Sequence, residues 1–214
     1  MLVADFDKQF LSDSRRVICG VDEAGRGPLA GPVVAGACVL PEDTVIEGLD
    51  DSKKLSEKKR EALFDIIKEK AVAWGIGTAS PKEIDEINIL NAALLAMRRA
   101  VENCGIVPDL ILVDGNQTRG FTLPAVAVVG GDAKSQSIAA ASVLAKVTRD
   151  RLMTELDREY PEYGFAGHKG YPTKAHKLAV YKYGPSDCHR RSFLSFLEKD
   201  KEKLKCLSEK EEKI

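Results

Sequence analysis

The stretch from Val17 to Leu40, VICGVDEAGRGPLAGPVVAGACVL, is the densest run of apolar and small residues in the chain, and it carries two adjacent carboxylates, Asp22 and Glu23. Val17 to Val21 is too brief for a helix and is closed by polar and glycine residues, which predicts a short buried strand. Acids at the end of such a strand are costly to desolvate unless something compensates their charge. A divalent cation is the simplest candidate, although an isolated Asp-Glu pair is more often a solvated strand end. The following Gly25-Arg26-Gly27 turn shifts that balance. Glycine lets backbone approach a ligand closely, and arginine offers a planar donor fork suited to phosphate. Gly25 to Ala30 also matches the alanine-ended dinucleotide-binding pattern, but that pattern requires a helix next. Pro32 to Leu40, rich in valine and small residues, predicts a second strand instead, and a dinucleotide site is rejected.

Outward from this stretch the elements alternate. Glu57 to Lys70 predicts a helix with Ala62, Leu63, Ile66 and Ile67 on its apolar face. Val72, Trp74, Ile76 and Thr78 alternate with Ala73, Gly75 and Gly77, a period-two strand with one large and one small face. Ser80-Pro81-Lys82-Glu83 reads as a capping box with proline at the first helical position, opening a helical segment that ends by Gly105. Leu110 to Val113 predicts a strand buried on both faces, ending on Asp114. Leu123 to Val129 predicts a fifth strand followed by Asp132, which precedes a long helix from Ser135 to about Tyr160. This is an α/β order. If the first and fourth strands are parallel neighbours, Asp22 and Asp114 emerge at one sheet edge, where open α/β sheets place their sites. Acids at three strand ends gather the hard oxygen ligands that magnesium or manganese prefers. Two features pull the other way. Gly115 to Thr122 is short for a parallel crossover, and Asp132 also suits a helix N-terminus.

Composition narrows the classes. A chain of 214 residues predicts one domain, 1–198, with a charged, flexible tail over 199–214. No apolar run is long enough to cross a bilayer, and the acidic N-terminus does not resemble a signal peptide, so no membrane partner is expected. Five scattered cysteines suggest neither a disulfide framework nor a thiolate zinc site, and point to the cytoplasm. The formal net charge of −1 conceals a basic segment. Between Gly164 and Arg191 the only acid is Asp187, against Lys169, Lys174, Lys177, Lys182, Arg190 and Arg191, with His168, His176, His189 and three tyrosines interleaved. Such a mixture suits a nucleic-acid face, and equally a solvated basic helix.

Several blocks taken together resemble bacterial ribonuclease HII: Val21-Asp22-Glu23-Ala24-Gly25-Arg26-Gly27, Asp51-Ser52-Lys53, Val113-Asp114-Gly115, Ala140 to Asp150, and Gly170-Tyr171-Pro172-Thr173. They run in register from about Val17 to Phe193. The resemblance implies a ribonuclease H-like fold, with a mixed five-stranded sheet flanked by helices and a helical C-terminal segment. It implies a monomeric endoribonuclease that cleaves the RNA strand of RNA–DNA hybrids and cuts 5′ to single ribonucleotides in duplex DNA. Asp22, Glu23, Asp114 and Asp132 would bind Mg2+ or Mn2+. Gly25, Arg26 and Gly27 would contact the ribonucleotide and its 2′-hydroxyl, and Tyr171 would pack on the following sugar. The related type with an extra N-terminal domain is not expected. Two cations held roughly 4 Å apart would flank the scissile phosphate, leaving 5′-phosphate and 3′-hydroxyl ends. Lys53, Lys146 and Arg149 are candidate phosphate contacts, and His168 and His176 candidate proton carriers. Another nuclease or a recombinase of the same superfold would keep the acids without needing the Gly-Arg-Gly turn or Tyr171. A non-catalytic binding module would have no use for clustered acids, which repel phosphate unless metal-loaded.

Overall fold

A computed structural model describes residues 5–50 and 52–211. The central sheet contains β1 (Ile18–Ala24), β2 (Val33–Val39), β3 (Ala73–Ala79), β4 (Leu110–Asp114) and β5 (Ala125–Val128), in the spatial order β3-β2-β1-β4-β5. β1 pairs antiparallel with β2 and parallel with β4; β2–β3 is antiparallel and β4–β5 parallel. The sheet is therefore mixed, as the family resemblance implies, within the α/β order that the alternating elements predict.

Helices cover both faces. α2 (Pro81–Glu102) packs Ala92, Ala96, Met97 and Ala100 against Val21, Ala35, Ala37, Ile111 and Val113. On the other face lie α1 (Glu57–Lys70) and α3 (Gln136–Glu159), which bury Leu63, Phe64, Ile67, Ala140, Val143 and Leu144. Glycines set how closely the helices sit. A Cβ at Gly20 would lie 2.2 Å from the Ser137 backbone, and one at Gly36 would lie 2.3 Å from the Ala141 carbonyl, both on α3. Gly75 and Gly77, the small face of β3, admit α2 in the same way, with clashes of 2.2 and 2.1 Å for an added Cβ. The helices thus touch strand backbone rather than side-chain tips.

Four local expectations change. The buried stripe of α1 is Leu63, Phe64 and Ile67, while Ile66 is exposed, because α3 approaches from the Phe64 side. The capping box of α2 forms, but the helix is broken at Asn88 (φ 64°, ψ 163°), whose side-chain oxygen accepts from the amides of Leu90 and Asn91 and starts a second helical run. β5 spans only Ala125–Val128 and lies at the sheet edge, with Val126 exposed. The connection leading to it, residues 115–124, makes its parallel crossover without a helix, and Phe121 and Leu123 pack on the α2 core in its stead.

Beyond α3 the chain builds a smaller lobe from α4 (Phe165–His168), α5 (Lys174–Tyr183), α6 (Phe196–Lys199) and α7 (Lys201–Glu211) around Met153, Tyr163, Phe165, Leu178 and Leu194. The tail was expected to be a flexible extension, yet it is helical through Glu211. Leu204 is buried in this lobe and Leu207, one turn on, packs beside it. Among the described residues no helix is long and apolar enough to cross a membrane.

Candidate active site

Val21 of β1 sits opposite Val113 of β4 in a parallel register, so Asp22 and Asp114 leave the sheet side by side. Strand alternation turns both toward α3: Asp22 follows Gly20, which α3 touches, and Asp114 follows Leu112, which packs on Ile138. Asp132 enters from a 3-10 turn, Gly131–Ala133, just past β5. Carboxylate oxygens of Asp22, Asp114 and Asp132 all lie within 4.8 Å of one another. Each acid is held in place. Asp22 accepts the Glu23 amide at 2.7 Å and a hydrogen bond from Ser142, whose hydroxyl is 2.8 Å from that of Ser52. Asp114 accepts the Gly131 amide at 2.7 Å, and Asp132 lies 3.5 Å from the ammonium of Lys53. Asp51, from the same sequence block as Lys53, is outside the described residues.

Glu23 takes the alternate face of β1 and pairs with Arg26 at 3.2 Å, near the cluster but outside the close group of three. Burial, reinforced by the charges of Glu23 and Asp114, pushes the Asp22 carboxyl well above the usual carboxylate range. Burial raises Glu23 as well, with Arg26 opposing it. Buried carboxylates this close repel one another, and a divalent cation removes both the repulsion and the desolvation cost. The donor set is oxygen-only and suits a hard ion such as magnesium or manganese.

Two buried arginines support the Gly-Arg-Gly turn and the segment that follows it. Arg190 is fully buried and donates to the carbonyls of Gly25 (2.6 Å), Arg26 (3.0 Å) and Gly31 (2.9 Å). Arg149, also buried, donates to Pro32, Ala30 and Lys169 at 3.1, 3.2 and 3.0 Å. A Cβ at Gly25, where φ is +97°, would strike the Arg149 side chain at 2.0 Å, so only glycine fits. Desolvation lowers both guanidinium pKa values, Arg190 to about 9, with Arg149 beside it contributing. Neighbouring backbone completes the arrangement. The Leu29 amide donates to Gly170 and the Gly31 amide to Cys188, while the Arg190 amide donates to Leu29. Tyr171 stands 44% exposed beside Gly27, whose added Cβ would lie 3.5 Å from its ring.

Several sequence candidates fall elsewhere. Arg149 is a buried support rather than a surface phosphate contact, because its fork is spent on carbonyls. Lys146 pairs at 2.6 Å with buried Asp150. His176 and His189 are buried, His168 stacks on His176 at 4.5 Å, and the ring nitrogens of all three bond within the lobe, which argues against a proton-carrying role. Lys177 pairs with Asp200 and Arg190 is internal, so the basic segment is only partly a surface. Sequence reading missed the support given by Arg190 and Ser142. Their partners lie far away along the chain, and no local spacing signals them.

A mixed five-stranded sheet of this order, with carboxylates gathered at the ends of adjacent parallel strands, defines a class: the metal-dependent endonucleases of ribonuclease H fold, which hydrolyse phosphodiester bonds. Comparison with known proteins narrows the class. The ribonuclease HII family model matches residues 19–196, and the chain belongs to that family. It is 60% identical over 176 residues to ribonuclease HII of Shewanella amazonensis, covering 82% of this chain and 85% of that protein. With ribonuclease HII of Acetivibrio thermocellus it shares 54% identity over 188 residues, 88% of this chain and 73% of that one. The crystal structure of ribonuclease H2 from Pyrococcus horikoshii OT3 superposes with a TM-score of 0.71 at 31% identity, covering 88% of this chain and 99% of that one.

Proposed function

We propose that this ribonuclease H cleaves the RNA strand of RNA–DNA hybrids and cuts on the 5′ side of a single ribonucleotide embedded in duplex DNA. The observation that carries the reading is the placement of Tyr171 against Gly27, on a turn that begins two residues after the Asp22-Glu23 pair. Asp22, Glu23, Asp114 and Asp132 are the proposed ligands for a pair of magnesium or manganese ions. Held there, such ions would supply activation of the attacking water and charge stabilisation at the leaving oxygen, for products with 5′-phosphate and 3′-hydroxyl ends.

The protein's own groups then divide the remaining work. Ser142 holds the Asp22 carboxylate in position, and the Gly131 amide does the same for Asp114. Lys53, with its side chain 73% exposed beside Asp132, is within reach of a substrate phosphate. Arg190 fixes the Gly25 and Arg26 carbonyls of the turn, and Arg149 the Ala30 and Pro32 carbonyls just after it, before substrate arrives, so the turn meets the 2′-hydroxyl without reorganising. The Tyr171 ring packs on the next sugar, where a second hydroxyl would be crowded. The enzyme is taken to act as a monomer in the cytoplasm, a setting supported by free Cys19, Cys38, Cys104, Cys188 and Cys206.

The test uses three duplexes: one with a single ribonucleotide, a continuous RNA–DNA hybrid, and all-DNA. The expected result is cleavage of the first two only, with the junction cut 5′ to the ribonucleotide. Cutting of the all-DNA duplex, or no cutting of the junction by an enzyme active on the hybrid, overturns the reading.

A further inference from the structure

Three histidines surround the backbone that carries Tyr171, and their hydrogen bonds leave one consistent proton arrangement. His176 Nδ1 lies 2.9 Å from the Tyr171 carbonyl, which can only accept, so this nitrogen carries the proton. The bare Nε2 of His176 faces Nε2 of His189 at 3.1 Å, and the proton between them belongs to His189. Nδ1 of His189 is then an acceptor, and it receives the Ser186 amide at 3.1 Å and hydroxyl at 2.8 Å. His168 is fixed as well: Nε2 donates to the Tyr163 carbonyl at 2.8 Å and Nδ1 accepts the Gly170 amide at 3.2 Å. Burial draws His176 and His189 down to about 4, so both rings are neutral at ordinary pH.

The chain of bonds runs from Ser186 through His189 and His176 to one atom, the Tyr171 carbonyl oxygen. That oxygen also accepts the Thr173 amide at 2.8 Å, and the Tyr171 amide donates to His168 at 2.9 Å. Both backbone groups of Tyr171 are therefore pinned, although its ring is exposed. His189 sits next to Arg190 and is bridged to Ala30. One end of the chain is thus tied to the segment between the Gly-Arg-Gly turn and β2, and the other to Tyr171. We infer that His176 and His189 are positioning residues that set the Tyr171 ring against the turn, and through it the preference for a ribonucleotide–deoxynucleotide junction. This inference rests on the proposed role of Tyr171.

The test compares His176→Phe, which keeps ring volume without the donor, with His176→Asn, whose amide can place a donor where Nδ1 stands. His189→Leu removes the buttress behind His176. For each variant, kcat and KM are measured on the single-ribonucleotide duplex and on the continuous hybrid, alongside Tyr171→Ala. His176→Phe and His189→Leu should lose at least roughly tenfold in kcat/KM on the junction duplex and little on the hybrid, the scale expected when a contact group shifts by a fraction of an ångström. His176→Asn should recover most of the loss, and His176→Phe should add little further junction loss to Tyr171→Ala. Equal losses on the two substrates by His176→Phe, with Tyr171→Ala remaining selective, overturn the positioning role alone. Equal losses by Tyr171→Ala itself mean that the Tyr171 reading has failed, and the inference falls with it. Should His176→Phe not fold, His189→Leu decides by the same comparison, and an Nε2-protonated His176 in imidazole nitrogen spectra at neutral pH overturns the proton arrangement outright.

Discussion

Replacing Arg190 by methionine should damage both stability and function, and the structure sets the scale. The side chain is fully buried and donates to three carbonyls, at 2.6, 3.0 and 2.9 Å. Methionine fills similar volume but leaves those oxygens without a partner, at roughly 1–3 kcal/mol apiece. Removing a buried guanidinium returns part of its own desolvation cost, which leaves a net loss of about 3–5 kcal/mol. For a chain of this size that lowers the melting temperature by about 10 °C. Arg190→Lys should do nearly as badly, because a point ammonium cannot serve three carbonyls arranged around a planar fork. The assay is urea unfolding together with cleavage of the junction duplex well below the melting temperature. Folded Arg190→Met protein should have lost at least about a hundredfold in kcat/KM, since the turn it supports is misplaced. A stability change under about 1 kcal/mol with activity retained would refute the reasoning about carbonyl support.

Asp22→Asn or Asp114→Asn should nearly abolish cleavage, as should chelation, yet the unmetallated variants should fold as well as the parent or better by about 1 kcal/mol, because each relieves repulsion among buried carboxylates; calorimetry in chelator with a parallel cleavage assay checks both halves. The neutral histidines should make stability depend on acid pH. His176 and His189 have folded values of about 4, below the ordinary 6.5, so between those limits the unfolded chain binds more protons. Their contribution is complete above pH 6.5 and falls away as pH drops toward 4, by roughly 3 kcal/mol per ring. The raised Asp22 and Glu23 act with the opposite sign, so the measurement is the difference in urea stability between parent and His189→Leu at pH 7.5 and 4.5. A difference that does not change with pH would show that the rings are not held neutral.

The first two strands were legible because apolar density and glycine punctuation leave few alternatives over Val17–Leu40. Acids closing two apolar runs located Asp22 and Asp114, and the α2 cap was written locally in Ser80 and Glu83. Long-range geometry was hidden. Arg149 and Arg190 look like surface charges because all but one of the six carbonyls that justify their burial lie more than a hundred residues away. The break at Asn88 has no proline or glycine to mark it. The α1 stripe was read one position off because which neighbour Phe64 meets is a tertiary fact. In the tail, charge density over 199–214 concealed Leu204, whose buried partners belong to earlier helices.

The pairing of residues 29–31 with 188–190 has a temporal consequence. Synthesis proceeds from the N-terminus, and domains fold as their parts emerge. Every proposed metal ligand has been made once Asp132 leaves the ribosome, whereas the three carbonyl bonds that hold the Gly-Arg-Gly turn and Gly31 wait for Arg190. On the proposed reading, a nascent or prematurely ended chain carries the metal ligands without the support of the turn that would choose a target. If the turn selects the target as proposed, the segment that carries Arg190 is the one that makes the nuclease discriminating, so loss of the C-terminal lobe should cost selectivity before it costs the acids.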